Sequence, residues 1–467
     1  MSKELINETA TTVNGNVSFW FAEDGLPVPR PALAGDTTAD VAIVGAGYTG
    51  LWTAYYLKKA RPELDIVVLE SRFAGFGASG RNGGWLTNSI TGGRGQYLKA
   101  HGRALVGRFQ TLLNETVDEV IAVAAAEGID AGVRKGGELN VARNPAQLER
   151  LKALAAAEAE WPEAGVRLLS AAESNERVRI AGTLGAIHQP HCARIHPSRL
   201  VRGLAERVEA LGVRIYEDTA VTEISPRLAR TEKGDVRAEY ILRATEGFTA
   251  NLKGSHREWL PMNSSMIATE PLGDDVWAAI GWHEFDTVGD MAHAYMYAQR
   301  TADNRIALGG RGVPYRFGSK TDTDGATQPE TIQNLAAILH DMFPATRGAR
   351  IDHAWAGVLG VPRDWKATVG LDRETGIGWA GGYVGTGVTA TNLAGRTLRD
   401  LVLDTESELT TMPWVNRRVR TWEVEPLRWI AVQAMYAAYY AADKSENSGR
   451  TSTSPIAKAA DLISGRA

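Results

Sequence analysis

The chain has 467 residues, with 51 lysines and arginines against 55 aspartates and glutamates, so its formal net charge is −4. This length predicts two interlocked domains, and a charge so close to neutral argues against a protein that grips a nucleic-acid backbone, so we expect no nucleic-acid partner. A single cysteine, Cys192, excludes an internal disulfide framework, a four-cysteine iron–sulfur cluster and a C-x-x-C redox pair.

The first 36 residues are predicted to form an N-terminal arm ahead of the first domain. The start, MSKELINETATTVNG, is polar and has no basic-then-apolar signal peptide, and no apolar run approaches the ~20 residues that a membrane helix needs. We therefore expect a cytoplasmic protein without a membrane partner. Within the arm, Trp20 is expected to pack on the body of the protein.

The stretch from Asp40 to Glu70 carries the most informative motif. An apolar strand at 41–44 leads into a complete G-x-G-x-x-G sequence, a helix with an apolar face follows, and a second apolar strand at 65–69 ends at Glu70. The motif consists of Gly45, Ala46, Gly47, Tyr48, Thr49 and Gly50.

Each part of this arrangement has a physical role in holding a dinucleotide. Gly45 allows the tight turn, Gly47 lets the backbone approach a pyrophosphate, and Gly50 lets the helix pack on the strand. The amide groups at the start of the helix can donate to phosphates. Glu70, twenty residues beyond the last glycine, can accept from ribose hydroxyls. We predict a dinucleotide site here; the alternative is a glycine turn in an ordinary α/β domain.

The run from 71 to 85 favours FAD over NAD. It is rich in glycine and predicts an extended loop followed by a short helix start, so a second stretch of backbone can lie along a ligand longer than NAD. The residues assigned to this second contact are Ser71, Arg72, Gly77, Ala78, Ser79, Arg81, Asn82, Gly83, Gly84 and Trp85.

This stretch resembles the D-amino-acid-oxidase-like FAD-dependent amine oxidoreductases, whose members include glycine oxidase and sarcosine oxidase. The G-A-S-G-R-N-G-G run at 77–84 resembles in particular the branch around gamma-glutamylputrescine oxidoreductase. The resemblance extends over most of the chain and is weakest in its middle. It implies that residues 78–84 follow the pyrophosphate and ribityl chain and pass the flavin ring, and that Val221 lies against the adenine.

A second cofactor contact is predicted near the end of the chain. A strand beginning at Ile377 leads through a glycine-rich turn into a helix, which aims amide donors and a helix dipole at a negative group. The resemblance implies that this group is the N1–C2=O edge of the flavin. The residues concerned are Gly385, Thr386, Gly387, Val388 and Thr389.

The predicted fold class is α/β: a Rossmann-like FAD-binding domain of the glutathione-reductase type, interleaved with an α+β substrate domain on a large mixed or antiparallel sheet. The substrate domain is assigned to residues 97–189 and 256–349, and a C-terminal helical tail to 411–467. The tail is expected to be loose from Ser445 onward. The discontinuous FAD-binding domain is assigned to residues 37–96, 190–255 and 350–410.

Candidates for the substrate pocket come from the resemblance and from the alternation of side chains along the strand near residue 300. In glycine-oxidase-like members an arginine on the corresponding strand holds the substrate carboxylate; Arg300 is the nearest match here, and Gln299 is the alternative. Aromatic residues could form a wall for a cationic or apolar amine, although each could instead be plain core. These are Tyr295, Tyr297, Trp259 and Trp355.

No second G-x-G-x-x-G appears, so we expect no NAD(P)H domain, and the organic substrate must reduce the flavin itself. The predicted function is oxidation of a small primary or secondary amine, or an amino acid, by hydride transfer from the α-carbon to flavin N5. The product is an imine and then an aldehyde or keto compound, and oxygen (with H2O2 formed) or another acceptor reoxidises the flavin. The alternatives are a flavin dehydrogenase for a 2-hydroxy acid or other C–H donor, and a non-catalytic flavoprotein subunit of a hetero-oligomer.

Neither a metal site nor a covalent flavin is expected. Three histidines, His188, His191 and His196, lie close to Cys192, but no matching ligand pair occurs elsewhere in the sequence. Cys192 does not match the attachment position of relatives that use a cysteine, and no histidine lies between 71 and 100, where some relatives attach FAD. We predict non-covalent FAD and leave the oligomeric state open between monomer and homodimer.

Overall fold

The computed structural model describes residues 12–310, 312, 314–321 and 324–464. Residues 1–11 of the predicted arm lie outside the described residues. The strands in the described part of the chain are β1 (Val13–Asn14), β2 (Thr37–Val44), β3 (Ile66–Leu69), β4 (Trp85–Thr87), β5 (Glu138–Ala142), β6 (Arg167–Ser170), β7 (Gly185–Gln189), β8 (Cys192–Arg194), β9 (Arg214–Tyr216), β10 (Val221–Ser225), β11 (Leu228–Thr231), β12 (Gly234–Arg243), β13 (Trp259–Thr269), β14 (Thr287–Asp290), β15 (Tyr297–Arg300), β16 (Ile306–Gly310), β17 (Ile351–Pro362), β18 (Thr368–Asp372) and β19 (Ile377–Gly381).

Helices connect these strands and form the end of the chain. The α-helices in the described residues are α1 (Phe19–Asp24), α2 (Tyr48–Ala60), α3 (Gly95–Ala126), α4 (Pro145–Glu158), α5 (Ala171–Arg177), α6 (Pro197–Ala210), α7 (Asp274–Ile280), α8 (Pro329–Met342), α9 (Gly387–Val402), α10 (Leu427–Asn447) and α11 (Pro455–Ser464). None of the helices in the described residues is both long and apolar enough to span a bilayer.

The smaller of the two main sheets is the predicted Rossmann-like unit. Its strand order is β10-β11-β12-β2-β3-β9, with β19 also paired to β12, and the central pairs are parallel. Residues 41–44 and 66–69 are fully buried, as expected for parallel strands that are covered on both faces. Helices α2 and α9 cross closely, because a Cβ at Gly395 would lie 2.9 Å from the Thr53 amide nitrogen.

The larger sheet is mixed and has the order β1-β17-β13-β16-β15-β14-β5-β7-β6. Strands β13 and β17 are antiparallel along their whole length, from Trp259 opposite Pro362 to Thr269 opposite Ile351. Strand β1, within the predicted arm, adds to the edge of β17. Strand β17 lies in the segment 350–410 that the sequence assigns to the FAD-binding domain, and it pairs with β13 of the substrate-side segment in the larger sheet.

The described part of the C-terminal tail, residues 411–464, contains the two helices α10 and α11. Its apolar side chains pack against Leu260 and Met262 of β13 and Val361 of β17. The expectation of a loose stretch from Ser445 is wrong for residues 445–464. Glu446 accepts from the Ser454 amide at 2.9 Å and pairs with Arg150, so the turn between α10 and α11 is anchored to the body.

Candidate active site

Two adjoining cavities lie between the sheets. The smaller has a volume of about 220 Å³ and the larger about 490 Å³. Five residues line both cavities, so the two cavities lie side by side. These shared residues are Ala78, Asn82, Leu359, Gly385 and Val388.

The smaller cavity collects most of the residues predicted for the nucleotide. Val221 lines it, together with its neighbour Ala220. The other predicted residues in its wall are Gly45, Gly47, Tyr48, Thr49, Glu70, Ser71, Gly77, Ala78, Ser79, Asn82, Gly385, Gly387 and Val388.

The glycines of the motif are required by close packing. Gly45 has φ +108°, and a Cβ there would lie 2.6 Å from the carbonyl oxygen of Ala244. Gly50 lines neither cavity; a Cβ on it would lie 2.0 Å from the carbonyl oxygen of Gly45, so it permits the helix to sit on the turn.

The start of α2 is joined to the glycine-rich loop by one side chain. The Tyr48 amide donates to Ser79 Oγ at 2.8 Å, and a Cβ on Gly47 would lie 2.9 Å from the same oxygen. The motif and the 76–80 segment therefore form one surface, at which the first turn of α2 presents amide groups suited to a phosphate.

The Glu70 carboxylate is held by local backbone groups at the end of β3. Oε2 accepts from the Ala46 amide at 2.9 Å, and Oε1 accepts from the Arg72 amide and Ser71 Oγ, each at 3.1 Å. Burial raises the pKa of this carboxyl above its usual range. The fixed carboxylate is placed to accept from a hydroxyl in the smaller cavity.

Glu246 is a site residue that the sequence analysis missed. Its carboxylate accepts from three amides: Gly382 at 2.7 Å, Gly360 at 3.2 Å and Tyr383 at 3.3 Å. Burial raises the pKa of Glu246 to about 7 against the opposing effect of these amides. Its partners lie more than a hundred residues away in the sequence, so these contacts could not be inferred from it.

The turn before α9 opens toward the shared part of the two cavities. Val384 has φ +51° and Gly385 φ +104°. A Cβ built on Gly385 would have no protein atom within 4 Å, so the backbone faces the cavity there. Thr386 lines the larger cavity, whereas Thr389 is buried inside α9 and lines neither.

Four side chains donate hydrogen bonds to the carbonyl groups of residues 80–83. Ser18 Oγ donates to Gly80 at 2.7 Å, Trp355 Nε1 to Arg81 at 2.9 Å, Trp20 Nε1 to Asn82 at 2.8 Å, and Gln299 Nε2 to Gly83 at 2.7 Å. Because each carbonyl is bonded on the protein side, the loop keeps a defined conformation along the cavity wall.

The larger cavity has aromatic and acidic walls. Trp85 and Tyr297 meet edge to face, with centroids 6.1 Å apart. The predicted residues that line it are Ala78, Arg81, Asn82, Gly83, Trp85, Tyr295, Tyr297, Gly385, Thr386 and Val388. Lining residues that the sequence analysis did not identify include Thr87, Glu138, Asn140, Arg150, Asp290, His293, Tyr439 and Asp461.

The carboxylates of the larger cavity are held by defined partners. Glu138 accepts from Thr87 Oγ1 at 2.7 Å and from Asn140 Nδ2 at 2.8 Å. Asp290 Oδ1 accepts from the amides of Met296 at 3.1 Å and Ala292 at 3.4 Å, and burial raises the pKa of Asp290 to about 6. These two carboxylates lie in the cavity wall on β5 and β14.

Comparison with known proteins agrees with this geometry. A family model described as FAD dependent oxidoreductase (DAO) matches residues 40–401. The chain belongs to this family. It is 32% identical over 438 residues to gamma-glutamylputrescine oxidoreductase of Escherichia coli (strain K12), covering 91% of this chain and 97% of the relative. Glycine oxidase of Bacillus subtilis (strain 168) is 21% identical over 381 residues, 79% of this chain and 94% of that one.

The predicted fold class is confirmed by solved structures. The crystal structure of glycine oxidase from Geobacillus kaustophilus superimposes with a TM-score of 0.68 at 22% identity, covering 82% of this chain and 99% of that chain. The protein is thus an FAD-dependent oxidoreductase with FAD as its cofactor. Its residues fit the group, because two glycine-lined helix starts and a carboxylate at the end of β3 border the two neighbouring cavities.

The assignment of Arg300 as a carboxylate clamp is corrected. Its guanidinium donates to the Trp282 carbonyl at 2.9 Å and to Asn304 Oδ1 at 2.6 Å, and lies 4.0 Å from the Trp277 ring centroid. Side chains alternate along β15, so Tyr297 faces the larger cavity and Arg300 lies on the opposite face of the sheet.

Other predicted residues also lie outside the cavities. Gln299 and Trp355 line neither cavity. They donate to the carbonyl groups of Gly83 and Arg81. Arg72 lies over the Phe76 ring, with 5.3 Å to the centroid. Gly84 has φ +70° and packs against Gln299, and Trp259 is buried at the start of β13.

The three histidines near Cys192 make separate contacts. His188 Nε2 lies 3.3 Å from the Gly136 carbonyl oxygen, and His196 caps α6 and lies 3.1 Å from Glu23. His191 is partly exposed, and burial lowers its pKa. These side chains serve different parts of the fold.

Proposed function

We propose that the enzyme oxidises a small primary or secondary amine that carries no α-carboxylate. The charge of the larger cavity supports this most directly. Its described lining includes the carboxylates of Glu138, Asp290 and Asp461 and the guanidinium groups of Arg81 and Arg150. The carboxylates outnumber these cations, which favours a cationic amine over a substrate carboxylate.

The arginines of this lining are already engaged by the protein. Arg81 Nε donates to the Phe76 carbonyl at 2.8 Å, and Arg150 Nη1 binds both oxygens of Glu446 at 2.8 and 2.9 Å. With Arg300 on the far face of the sheet, no carboxylate clamp of the type expected for an α-amino acid remains among the described lining residues.

The chain's residues have binding and orienting roles in this proposal. The edges and faces of Trp85 and Tyr297 form an apolar surface near the shared part of the cavities, where loss of water favours the neutral amine that reacts. The 78–83 loop and the 385–388 turn would hold the isoalloxazine end of FAD. When bound, FAD supplies the acceptor for the hydride of the α-C–H, and oxygen or another acceptor restores it.

Non-covalent attachment of FAD is part of the proposal. The thiol of Cys192 is fully buried, lies 3.3 Å from Thr287 Oγ1 and lines neither cavity, and its pKa is raised by burial. Precipitation with acid is expected to leave the flavin in the supernatant. Flavin that stays with the precipitated protein would contradict this part.

The decisive experiment is anaerobic mixing of the holoenzyme with a matched substrate panel. Primary and secondary alkylamines are expected to bleach the visible flavin absorption, and the 2-hydroxy acid lactate is not. Glycine and sarcosine are expected to act poorly, since they carry a carboxylate. Arg300→Met serves as a control that should leave this ranking unchanged. Bleaching by lactate alone, or by α-amino acids in preference to alkylamines, would overturn the proposal.

A further inference from the structure

A buried arginine outside both cavities carries a charge that the chain does not pair. Arg194, the last residue of β8, is 4% exposed and lines neither cavity. Its guanidinium makes no hydrogen bond or salt bridge with any residue that the structure describes, and its Nε is buried. Because a buried charge without a partner is unfavourable, this side chain is suited to a negatively charged ligand.

Two further arginines add positive charge around Arg194. The backbone of Arg134 pairs with that of Arg194, and its amide donates to the Arg194 carbonyl at 3.1 Å. The guanidinium carbons of Arg194 and Arg300 lie 5.0 and 5.3 Å from the centroid of the same ring, that of Phe285. We call Arg134, Arg194 and Arg300 the arginine cluster. In the described part of the chain, none of the three forms a salt bridge with a carboxylate.

The carboxylates near the arginine cluster are engaged by other groups or exposed. Asp303 pairs with Arg305 Nε at 2.5 Å, and Asp286, which follows Phe285, pairs with Arg177 at 2.9 Å. Asp274 is exposed at the start of α7. The arginine cluster therefore keeps an excess of positive charge.

This excess charge is reflected in the acidity of the central arginine. Burial, together with the charges of Arg134 and Arg300, lowers the pKa of Arg194 to about 10. The side chain is still protonated at neutral pH, so it keeps its positive charge in an environment that disfavours it. A bound anion would remove this conflict.

The arginine cluster can be approached from the surface. Arg134 is exposed, and Arg300 and Phe285 are half-buried. Gly132 faces Arg194 Nη1, because a Cβ on this glycine would lie 3.6 Å from that nitrogen. Since glycine has no side chain, Nη1 is left uncovered on this side.

We propose that the arginine cluster binds a phosphate group, with Arg194 as the central ligand. The planar guanidinium presents its N–H donors in a fork that matches phosphate oxygens. Three cations without a paired carboxylate favour a dianion over a singly charged carboxylate. The site lies outside both cavities and is therefore separate from the motif that faces the pyrophosphate of FAD. This inference goes beyond the proposed function and does not depend on it.

The proposed site adjoins the loop that faces the cofactor. Ile195, which follows Arg194, donates its amide to the Gly84 carbonyl at 2.8 Å. Gln299, which precedes Arg300, donates to the Gly83 carbonyl at 2.7 Å. A phosphate in the field of both arginines reduces their mutual repulsion and so stabilises the two segments that support the loop. We expect bound phosphate to raise the temperature at which the protein releases FAD.

The test is isothermal titration calorimetry of the FAD-saturated holoenzyme with inorganic phosphate, at an ionic strength held constant with chloride. Saturation with FAD keeps the cofactor's own phosphate site filled. We expect one phosphate per chain and much weaker binding of acetate, which carries a single charge. Phenyl phosphate distinguishes the sources of the group: binding like that of inorganic phosphate identifies a site for phosphate esters, and exclusion of phenyl phosphate identifies free phosphate as the ligand.

The variant Arg194→Met should raise the dissociation constant of phosphate about tenfold or more, since it removes charge-assisted hydrogen bonds. Arg134→Met should act in the same direction with a smaller factor. Arg418→Met removes an exposed arginine of the C-terminal tail and is the matched control, with an unchanged constant. Phosphate should raise the temperature of FAD release, followed by flavin fluorescence, in the wild type and the control but not in Arg194→Met.

A holoenzyme that binds no phosphate would overturn the proposal, as would equal dissociation constants in the wild type, Arg194→Met and Arg134→Met. Acetate that binds as tightly as phosphate would overturn the assignment to a dianion. If Arg194→Met does not fold, as judged by flavin content and circular dichroism, the wild-type titrations and Arg134→Met decide. Amine oxidation is not measured in this test, so failure of the proposed function would leave its result unaffected.

Discussion

The Glu246 carboxylate accepts the Gly382 amide at 2.7 Å and so joins the end of β12 to the turn that precedes α9. The same carboxylate holds Gly360 of β17 and Tyr383. One side chain therefore connects the Rossmann-like sheet, the larger sheet and the turn that faces the flavin side of the cavity. This makes it a positioning residue for the cofactor surface.

Replacement of Glu246 by Gln should weaken this connection. The glutamine has one acceptor oxygen in place of two, so at least one of the three amides loses its partner, and an unsatisfied buried donor costs about 1–3 kcal/mol. We expect a lower Tm and weaker FAD binding, measured by circular dichroism and by reconstitution of the apoprotein. Glu239→Gln, an exposed change on β12, the strand that precedes Glu246, is the control. An unchanged affinity for FAD would show that the carboxylate does not position the turn.

Trp20→Phe should loosen the loop that follows the motif. The indole Nε1 donates to the Asn82 carbonyl at 2.8 Å, and phenylalanine keeps the ring but not the donor. The carbonyl left without its partner costs about 1–3 kcal/mol, and FAD retention through gel filtration should fall. Trp429→Phe changes a partly exposed indole elsewhere and should have no such effect. Full retention of flavin by Trp20→Phe would contradict this role of the arm.

Gly47→Val should yield a protein without flavin. A Cβ at this position lies 2.9 Å from Ser79 Oγ, and the branched side chain would also occupy the space that the motif keeps for a phosphate. Gly95→Val is the control, because a Cβ on Gly95 meets no atom within 4 Å. A folded Gly47→Val protein with the full yellow colour would refute the placement of the pyrophosphate at this motif.

Binding of a cation in the larger cavity should weaken as the pH falls. Burial, together with the neighbouring Asp443, raises the pKa of Asp290 to about 6, so this carboxylate is charged at neutral pH and becomes neutral below that value. The probe is n-butyltrimethylammonium, whose charge does not titrate, and its dissociation constant is measured from the perturbation of the flavin spectrum between pH 5 and pH 8. Asp290→Asn should bind it weakly at all pH values. A wild-type dissociation constant that stays the same between pH 5 and pH 8, or that is larger at neutral pH than at pH 5, would exclude this role.

The cofactor part of the site could be predicted because its residues are close together in sequence. The glycines at 45, 47 and 50, Glu70 and the 77–84 run lie within forty residues, so their spacing and the family resemblance of the run predict a cofactor site. The substrate part depends on strand register and on contacts between distant segments. Arg300 and Tyr297 differ by an odd number of positions on β15, and only the register decides which of them faces the cavity.

The contribution of the tail to the lining of the larger cavity could not be predicted for a related reason. Asp461 follows a polar segment that gives no sign of a helix docked on the sheet, and Tyr439, which donates to it, belongs to an apolar run that is also typical of core packing. Glu246 likewise acts through amides of residues 360–383. In each case the position of the residue at the site arises from a tertiary contact and not from a local motif.

The most direct test of the account is the visible spectrum of the purified protein under anaerobic conditions before and after addition of n-pentylamine. We expect one FAD per chain, and bleaching of its absorption by the amine. A colourless protein that takes up no FAD, or a yellow protein whose spectrum no amine changes, would contradict the account.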